Sequence, residues 1–422
     1  MSRFYYKAQQ ELTGTGRLQI DVQALDVAKP VGNAIVRIMP RGSSDHIIEE
    51  MITNSSGQTY TVDLPAPPIE FSLEPSNEKP YSVYDVSVIY DGYEQVQVEG
   101  VQILPDTVSY QDVALNPLIG YERDWPERIA IDEHTLWGDF PPKIQEAEVK
   151  PLPKHTGFIV LPEPVVPEFV VVHMGMPSNT AAQRHWVPFK DYIKNVACNE
   201  IYATWPEQTL HANILAIISL TLNRVFTEWY RGQGYDFTIT STTQLDQKYV
   251  HGRNIFIEIS RVVDEIFNTY ITRPGIRQPL FAQYNDGRRT NYPGRLSQWG
   301  SKALGDRGYS ALNILKYYYG NDIYLTQAEK VEGVPVSFPG TPLRVGSSGP
   351  DVRVIQEQLN AISNNFPAIP KLRVDGVFGE NTKNSVMEFQ KIFHLTQDGV
   401  VGFATWFRIS HIYVAVTRMA EL

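Results

Sequence analysis

A single cysteine, Cys198, stands among 422 residues. That excludes an intrachain disulfide framework and any zinc site built from several thiolates. No His-Glu-x-x-His or comparable cluster occurs, and His211 and His251 stand alone, so neither a metal nor a cofactor is expected. Basic residues are the minority, with 37 Lys and Arg against 47 Asp and Glu and a net charge of -10. This balance argues against nucleic acid or an anionic membrane as the principal partner. No run approaches the roughly 18 apolar residues of a bilayer span, so no membrane span is expected. The opening MSRFYYKAQQELTGTG has no apolar h-region, and the chain reads as made in a cytosol without a secretory signal. What is present is core-forming material: 42% of residues are apolar, with 23 Tyr, 18 Phe and 7 Trp. Two to four domains of about 100–200 residues each can be built from it. Sugar-binding clefts use such an aromatic supply, and so do ordinary cores.

Residues 1–118 read as a β-sandwich. RLQIDVQAL, NAIVRIMP, YTVDLP, YDVSVIY, EQVQVEGVQIL and SYQDVALNP alternate or are β-branched, with turn signals at Asn54-Ser55-Ser56-Gly57 and Asp91-Gly92-Tyr93. Residues 119–167 read as an extended, exposed linker and a candidate propeptide, because nine of the 29 prolines fall within 117–167. Proline removes amide donors and stiffens the chain. Residues 168–330 read as an α-rich α+β unit, with a strand over 169–173 and helices over 188–197, 207–230, 253–272 and 310–319. On the longest helix Leu210, Ile214, Ile217, Leu222 and Val225 fall on one stripe. Residues 341–422 contain an internal repeat, Val374-Asp375-Gly376-Val377-Phe378-Gly379-x-x-Thr382 and Gln397-Asp398-Gly399-Val400-Val401-Gly402-x-x-Thr405. Each copy is an Asp-Gly turn, an apolar pair, a Gly and a helix start. The expected class is therefore multidomain α+β.

Three resemblances follow from these residues. Leu343-Arg344-x-Gly346-x-x-Gly349-x-x-Val352-x-x-Ile355-Gln356-x-x-Leu359, the two Asp-Gly turns, Val386-x-x-Phe389-Gln390 and Thr405-Trp406 resemble the three-helix peptidoglycan-binding domain. The resemblance implies a groove between the repeat loops for wall glycan or peptide, pointing to Asp375, Gly376, Phe378 and Trp406, of which Phe378 and Trp406 read equally as core. Val187-Pro188, Tyr192, Val196, Glu200 and Trp205-Pro206, followed by Leu296-Ser297-Gln298-Trp299-Gly300 and Ile314-Leu315-Lys316-Tyr317-Tyr318, resemble the stage II sporulation protein D family of lytic transglycosylases. The order Pro30, Ala34-x-Val36, Thr53-Asn54-x-x-Gly57, Tyr90-Asp91-Gly92-Tyr93 and Val113-x-Leu115-x-Pro117 resembles transthyretin-like, carboxypeptidase-regulatory sandwiches, here a spacer or shield. Taken in sequence, the units are similar to those of the clostridial spore cortex-lytic enzymes. That similarity implies cortex peptidoglycan as partner, a role in germination, and synthesis in the mother-cell cytosol. It further implies storage as a zymogen in the cortex or coat region, and activation by a subtilisin-like protease.

Cleaving a glycosidic bond requires an acid to protonate the leaving oxygen, and a hydrolase adds a carboxylate that activates water or attacks the sugar. A lytic transglycosylase uses the substrate's own C6 hydroxyl, so one carboxylate suffices. The resemblance aligns Glu200 with that catalytic acid. From the residues alone, Glu200 lies just past a helix among Val196, Ala197, Tyr202 and Trp205, an apolar surround that raises a carboxylate pKa; it reads equally as a surface glutamate. Tyr202, Trp205, Asp246, Ser297, Gln298 and Trp299 are the expected substrate contacts, with fixing of the cleft wall as the rival role for Gln298 and Trp299. Asp286 is a further candidate carboxylate. Glu207 reads as a helix-dipole residue and Arg224 with Glu228 as a helix-surface pair. Members of the lytic family often carry Cys and His in the loop equivalent to 240–249; Gln244 and Leu245 stand here, so that zinc site is not expected. The rival function is a non-catalytic, wall-binding structural protein.

Overall fold

Alternation of apolar and polar residues turns every second side chain of the N-terminal strands to one face, and two such faces close on each other. The structure, a computed structural model, describes residues 12–25, 29–43, 46–118, 126–151, 163–290 and 292–418. The first unit comprises β1 (Gly14–Ala24), β2 (Lys29–Pro30), β3 (Ile35–Pro40), β4 (Glu49–Ile52), β5 (Val62–Ala66), β6 (Ser82–Ile89), β7 (Val96–Ile103) and β8 (Val108–Leu115). A short helix, α1 (Glu70–Leu73), lies between β5 and β6. In one sheet β1 runs antiparallel to β2 and β5 and parallel to β8, with Arg17 opposite Val108. The other sheet runs β4-β3-β6-β7. Leu18, Ile20 and Val22 of the first sheet share a core with Val36, Ile38, Val86 and Val98 of the second.

The expectation of an exposed tether is corrected over the described part of the linker. β9 (Glu127–Ala130) joins the second sheet parallel to β7. Ile131, His134 and Leu136 are buried, and the irregular residues 141–150 lie against the central unit. Proline takes donors from the backbone but leaves its carbonyls and the remaining amides free to be bound, and both side chains and backbone groups of the central unit bind them here.

The central unit contains β10 (Val165–Val166), β11 (Phe169–His173), β12 (Arg184–Pro188), α2 (Phe189–Glu200), α3 (Glu207–Phe226), β13 (Ile239–Thr240), β14 (Ile255–Phe256) and α4 (Ile257–Ile266). β15 (Thr269–Thr272), β16 (Tyr284–Asn285), β17 (Leu296–Ser297), α5 (Gln298–Asp306), α6 (Ala311–Tyr319), β18 (Tyr324–Gln327) and β19 (Lys330–Val331) complete it. Pro188 and Pro206 immediately precede α2 and α3, where a missing amide donor costs nothing. α3 is the axis of the unit. By length and mean composition alone it could cross a bilayer, yet 89% of its apolar window is buried inside the protein. It ends at Phe226, short of Tyr230, and Glu228 just beyond takes a φ of 45°, a left-handed conformation no helix continues through. The helix expected over 253–272 is likewise only α4. On its N-terminal side β14 pairs with β8 of the sandwich, Ile255 opposite Tyr110 and Phe256 opposite Ser109. On its C-terminal side the β-branched Thr269, Ile271 and Thr272 enter a ladder with β18. The sandwich and the central unit thus share a sheet.

α2 and α4 are clamped by charge. Asp264 lies 3.0 Å from the Lys190 ammonium and 2.8 Å from that of Lys194, all three buried. Burial alone raises the Asp264 pKa, but the two ammonium groups outweigh it and hold the carboxyl well below its ordinary range.

The last unit packs α7 (Pro350–Ile362), α8 (Glu380–Ile392) and α9 (Phe403–Arg418). Its repeat is a repeat of hydrogen bonds. Gln356 accepts from Gly376 N and donates to Asp375 Oδ1, Val377 O and Thr382 Oγ1. Gln390 does the same with Gly399 N, Asp398 Oδ1, Val400 O and Thr405 Oγ1. Gly376 and Gly399 take φ of 74° and 68°, which the turn requires and a side chain would strain. Contacts also tie this unit to the sandwich. His394 Nε2 lies 2.7 Å from Asp21 Oδ2 and its ring stacks on Tyr110 at 4.1 Å, while Gln58 Nε2 donates to Ile392 O.

Candidate functional site

Glu200 is the last residue of α2, not the first beyond it, and its side chain is buried. Helix geometry turns it toward the loop 242–249 and toward the start of α5. Oε1 accepts from Lys248 N at 3.0 Å. Oε2 lies 3.1 Å from Thr135 Oγ1 and accepts from Gln298 Nε2 at 3.3 Å, and that same amide nitrogen donates to the Glu200 carbonyl at 2.8 Å. The apolar surround read from the sequence is therefore only one wall, since the carboxyl itself sits among donors. It faces a cavity of about 60 Å3 lined by Thr135, Pro141, Lys143, Tyr284 and Gln298, far too small for a sugar ring. The Tyr284 hydroxyl is buried beside Glu200 and Gln247 and makes no hydrogen bond of normal geometry. Burial, reinforced by the Glu200 charge, pushes its pKa well above the ordinary phenol. The Lys143 ammonium stands 4.5 Å from the Tyr284 ring centre. Burial lowers its pKa against the opposing pull of Glu200 and Asp246.

Of the residues expected around Glu200, Gln298 holds the carboxyl directly. Ser297 does not face the cavity: its Oγ accepts from Gly300 N at 2.9 Å and caps α5. Trp299 is half-buried and packs on Trp205 at 5.0 Å and on Tyr202 at 6.0 Å. Tyr202 and Trp205 are both buried. The Trp205 indole donates to Ser72 O in α1 of the sandwich, and the Tyr202 ring lies 4.4 Å from that of His134. These two aromatics are corrected from sugar platforms to the seam between units.

Asp246 is corrected as well. It is wholly buried, with Arg224 Nε at 2.7 Å, Tyr230 OH at 2.6 Å and Thr240 N at 3.0 Å, so no oxygen is left for a substrate. Arg224 is not a surface residue paired with Glu228; it is buried between Asp246 and Glu146. Asp286 accepts from the amides of Arg288, Arg289 and Thr290 and pairs with the Arg289 guanidinium. Burial works to raise its pKa, but these donors, the Arg289 side chain first, hold it below the ordinary range. Asp375 organises its own turn, accepting from Val377 N and Gln356 Nε2. Trp406 is buried, its indole donating to Val336 O at 3.0 Å, and Phe378 is buried too; both are core.

Glu200 and Gln298, almost a hundred residues apart in the chain, meet directly. Thr135, Lys143, Tyr284 and the amide of Lys248 were not legible. The first two fall in a stretch whose prolines read as tether, and a backbone amide carries no side-chain signal. Tyr284 stands two residues before Asp286, and that polar loop was the one available hint.

Residues 348–409 match the sequence profile of the peptidoglycan binding domain family, so the chain carries such a domain at its C-terminus; the match covers far less than half of the protein. No curated protein matches the chain. Among solved structures, the SleB N-terminal domain is 32% identical over 17% of this chain and 93% of its own, with a TM-score of 0.15. The 5-hydroxyisourate hydrolase of Klebsiella pneumoniae is 11% identical over 24% of this chain and 92% of its own, with a TM-score of 0.16. Transthyretin from Sparus aurata is 12% identical over 24% and 89%, with a TM-score of 0.15. With TM-scores this low, none of the three determines the fold or the activity of this chain.

Proposed function

We propose that this protein cleaves the glycan strands of peptidoglycan as a lytic transglycosylase, with Glu200 as its one acid and base. Its C-terminal domain would hold the enzyme to the wall. The observation that carries the reading is the Glu200 carboxyl. It is buried, fixed at both oxygens, and turned to a cavity beside the unpartnered Tyr284 hydroxyl. Asp246 and Asp286, the two other carboxyls weighed for the site, are bound to Arg224 and Arg289. That favours the route needing no second carboxylate. Glu200 gives its proton to the glycosidic oxygen as the C1–O bond breaks. It then takes the C6 hydroxyl proton as that oxygen closes on C1, leaving a 1,6-anhydro end and consuming no water. Gln298 and Lys248 N hold the carboxyl through both steps. Together with the resemblance to clostridial spore cortex-lytic enzymes of the SleC type, the reading extends to spore cortex as substrate, germination as setting, and a zymogen cut by a subtilisin-like protease.

The test is Glu200→Gln, assayed on cortex fragments in the full chain and after proteolytic nicking. Loss of a general acid costs about 10²–10⁴-fold in rate, with wall binding unchanged, and the wild-type products should end in 1,6-anhydro-muramic acid. New reducing ends would instead require a water-activating carboxylate and turn the reading to a hydrolase. Undiminished activity of Glu200→Gln would end the assignment. A wall-binding structural protein is the second reading, favoured by the small volume of the Glu200 cavity, and the absence of cleavage by every form would establish it.

A further inference from the structure

The segment 141–150 is bound in an unusual way. Ile144 and Val149, its branched apolar residues, are 46% and 49% exposed, so burial of apolar surface is not what holds it. Its backbone is held by polar groups, among them Gln244 O on Ile144 N, the Arg295 guanidinium on Glu146 O and two side-chain amides. Gln283 accepts from Glu146 N at 3.1 Å and donates to Ile144 O at 2.7 Å. Gln278 accepts from Lys150 N at 2.9 Å and donates to Lys150 O at 3.1 Å. Each glutamine thus spans two successive peptide groups, accepting from the N–H of one and donating to the carbonyl of the other, a pattern that reads an extended peptide without regard to its side chains. Between these two points, Glu146 places both carboxylate oxygens on the Arg224 fork, at 2.7 and 3.1 Å. At the ends, Lys143 lies on the Tyr284 ring, and Lys150 lies 3.9 Å from the Phe281 centre and 4.8 Å from that of Trp229. The segment runs from the cavity at Glu200 to another of about 360 Å3 bordered by Trp229 and Tyr235.

Every one of these contacts is polar or cationic, and each can be exchanged. Withdrawal of the segment leaves Arg224 short of a carboxylate, two glutamines short of their peptide partners and aromatic faces bare, along a stretch that begins at the Glu200 cavity. Asp246 stays on Arg224 Nε, but the two terminal nitrogens lose the Glu146 oxygens, and buried donors left without acceptors are costly, so the vacated groove favours a ligand that presents paired carboxylate oxygens and amides. Peptidoglycan carries both groups beside its glycosidic bonds, on the lactyl and stem-peptide part of muramic acid.

We infer that Arg224, Gln278 and Gln283 form a subsite for the carboxylate and amides of a muramyl peptide, and that residues 143–150 fill it as an internal mimic with Glu146 standing for the ligand's carboxylate. The inference rests on reading Glu200 as the acid of a glycan-cleaving site.

The experiment is displacement of a fluorescent peptide of residues 141–151, followed by anisotropy. The receptor is the full chain carrying Lys143→Ala, Glu146→Ala and Lys150→Ala, which loosen the internal competitor. The peptide should bind this variant at least tenfold more tightly than it binds wild type. A disaccharide muropeptide with free stem carboxyls should displace it, and the same muropeptide with amidated carboxyls should not. Adding Arg224→Lys, which keeps the charge and removes the fork, should weaken both ligands at least tenfold. Failure of the peptide to bind the folded triple variant overturns the inference, as does binding that no muropeptide displaces while glycan is cleaved. Displacement without cleavage by any form supports the subsite and removes the role of Glu200 instead. If the triple variant does not fold, hydrogen exchange of the Glu146 and Lys150 amides in wild type decides. Acceleration by the muropeptide supports the inference, and no change overturns it.

Discussion

Cys198 is buried in α2, close enough to Phe256 to accept its backbone amide at 3.4 Å. Burial pushes its thiol up to about 11. At pH 8 only about one thiol in a thousand is then a thiolate, the reactive form. Alkylation by a maleimide should therefore be negligible in the native protein and complete within minutes in denaturant; mass spectrometry of the intact chain reads this directly, and rapid native labelling would mean that α2 opens easily. Two residues further along the same helix, Glu200 depends on Gln298 for both its carboxyl and its carbonyl. Gln298→Ala should lower kcat about tenfold or more with little change in KM, because it misplaces the acid without touching the sugar's binding surface. A rise in KM alone would make Gln298 a substrate contact.

The clamp between α2 and α4 is a property of two helices, and it can be broken at one atom pair. Asp264→Asn leaves Lys190 and Lys194 as buried ammonium groups without a carboxylate, a loss of about 3–5 kcal/mol, measurable by urea unfolding. Its pH dependence has a definite sign. A carboxyl held below its unfolded pKa of about 3.9 adds stability that is complete above that value and is lost progressively as pH falls from there through the lower folded value. The gap between wild type and Asp264→Asn should therefore be widest at neutral pH and narrow below about pH 4; a gap that widens in acid would contradict the pairing. Elements like these also separate what the chain discloses from what it hides. The α3 stripe and the strands of the sandwich are written in local periodicity, which needs no partner to be read. The division of 253–272 into β14, α4 and β15 depends on strands elsewhere, β8 and β18, and a local pattern carries no trace of them. Arg224 and Asp246 looked exposed because charge is ordinarily exposed. Their burial follows from their pairing with each other and, for Arg224, from a second partner, Glu146, that lies 78 positions away.

At the scale of the whole molecule, the C-terminal unit borrows its closure from the segment before it. Val336 O receives the Trp406 indole, and the Phe338 ring lies 5.8 Å from Phe403 and 6.1 Å from Trp406. A fragment of residues 334–422 should accordingly be more stable than one of 341–422, by about 2–3 kcal/mol for one partly buried aromatic and one hydrogen bond. Equal melting temperatures would show that the segment adds nothing. Both fragments should co-sediment with wall sacculi if the three helices carry the binding. The sheet shared through β14 and β8 has a different consequence, one of timing. A protease that cuts between the sandwich and the central unit changes covalent connectivity only. The two pieces remain joined by the Ile255–Tyr110 and Phe256–Ser109 pairing, by Trp205 on Ser72, and by Asn254 on Gln102. Freshly nicked protein should elute from a sizing column as one particle and part later, at a rate independent of how much protease was used. Cutting starts a clock, and the dissociation rate of that seam sets how long it runs.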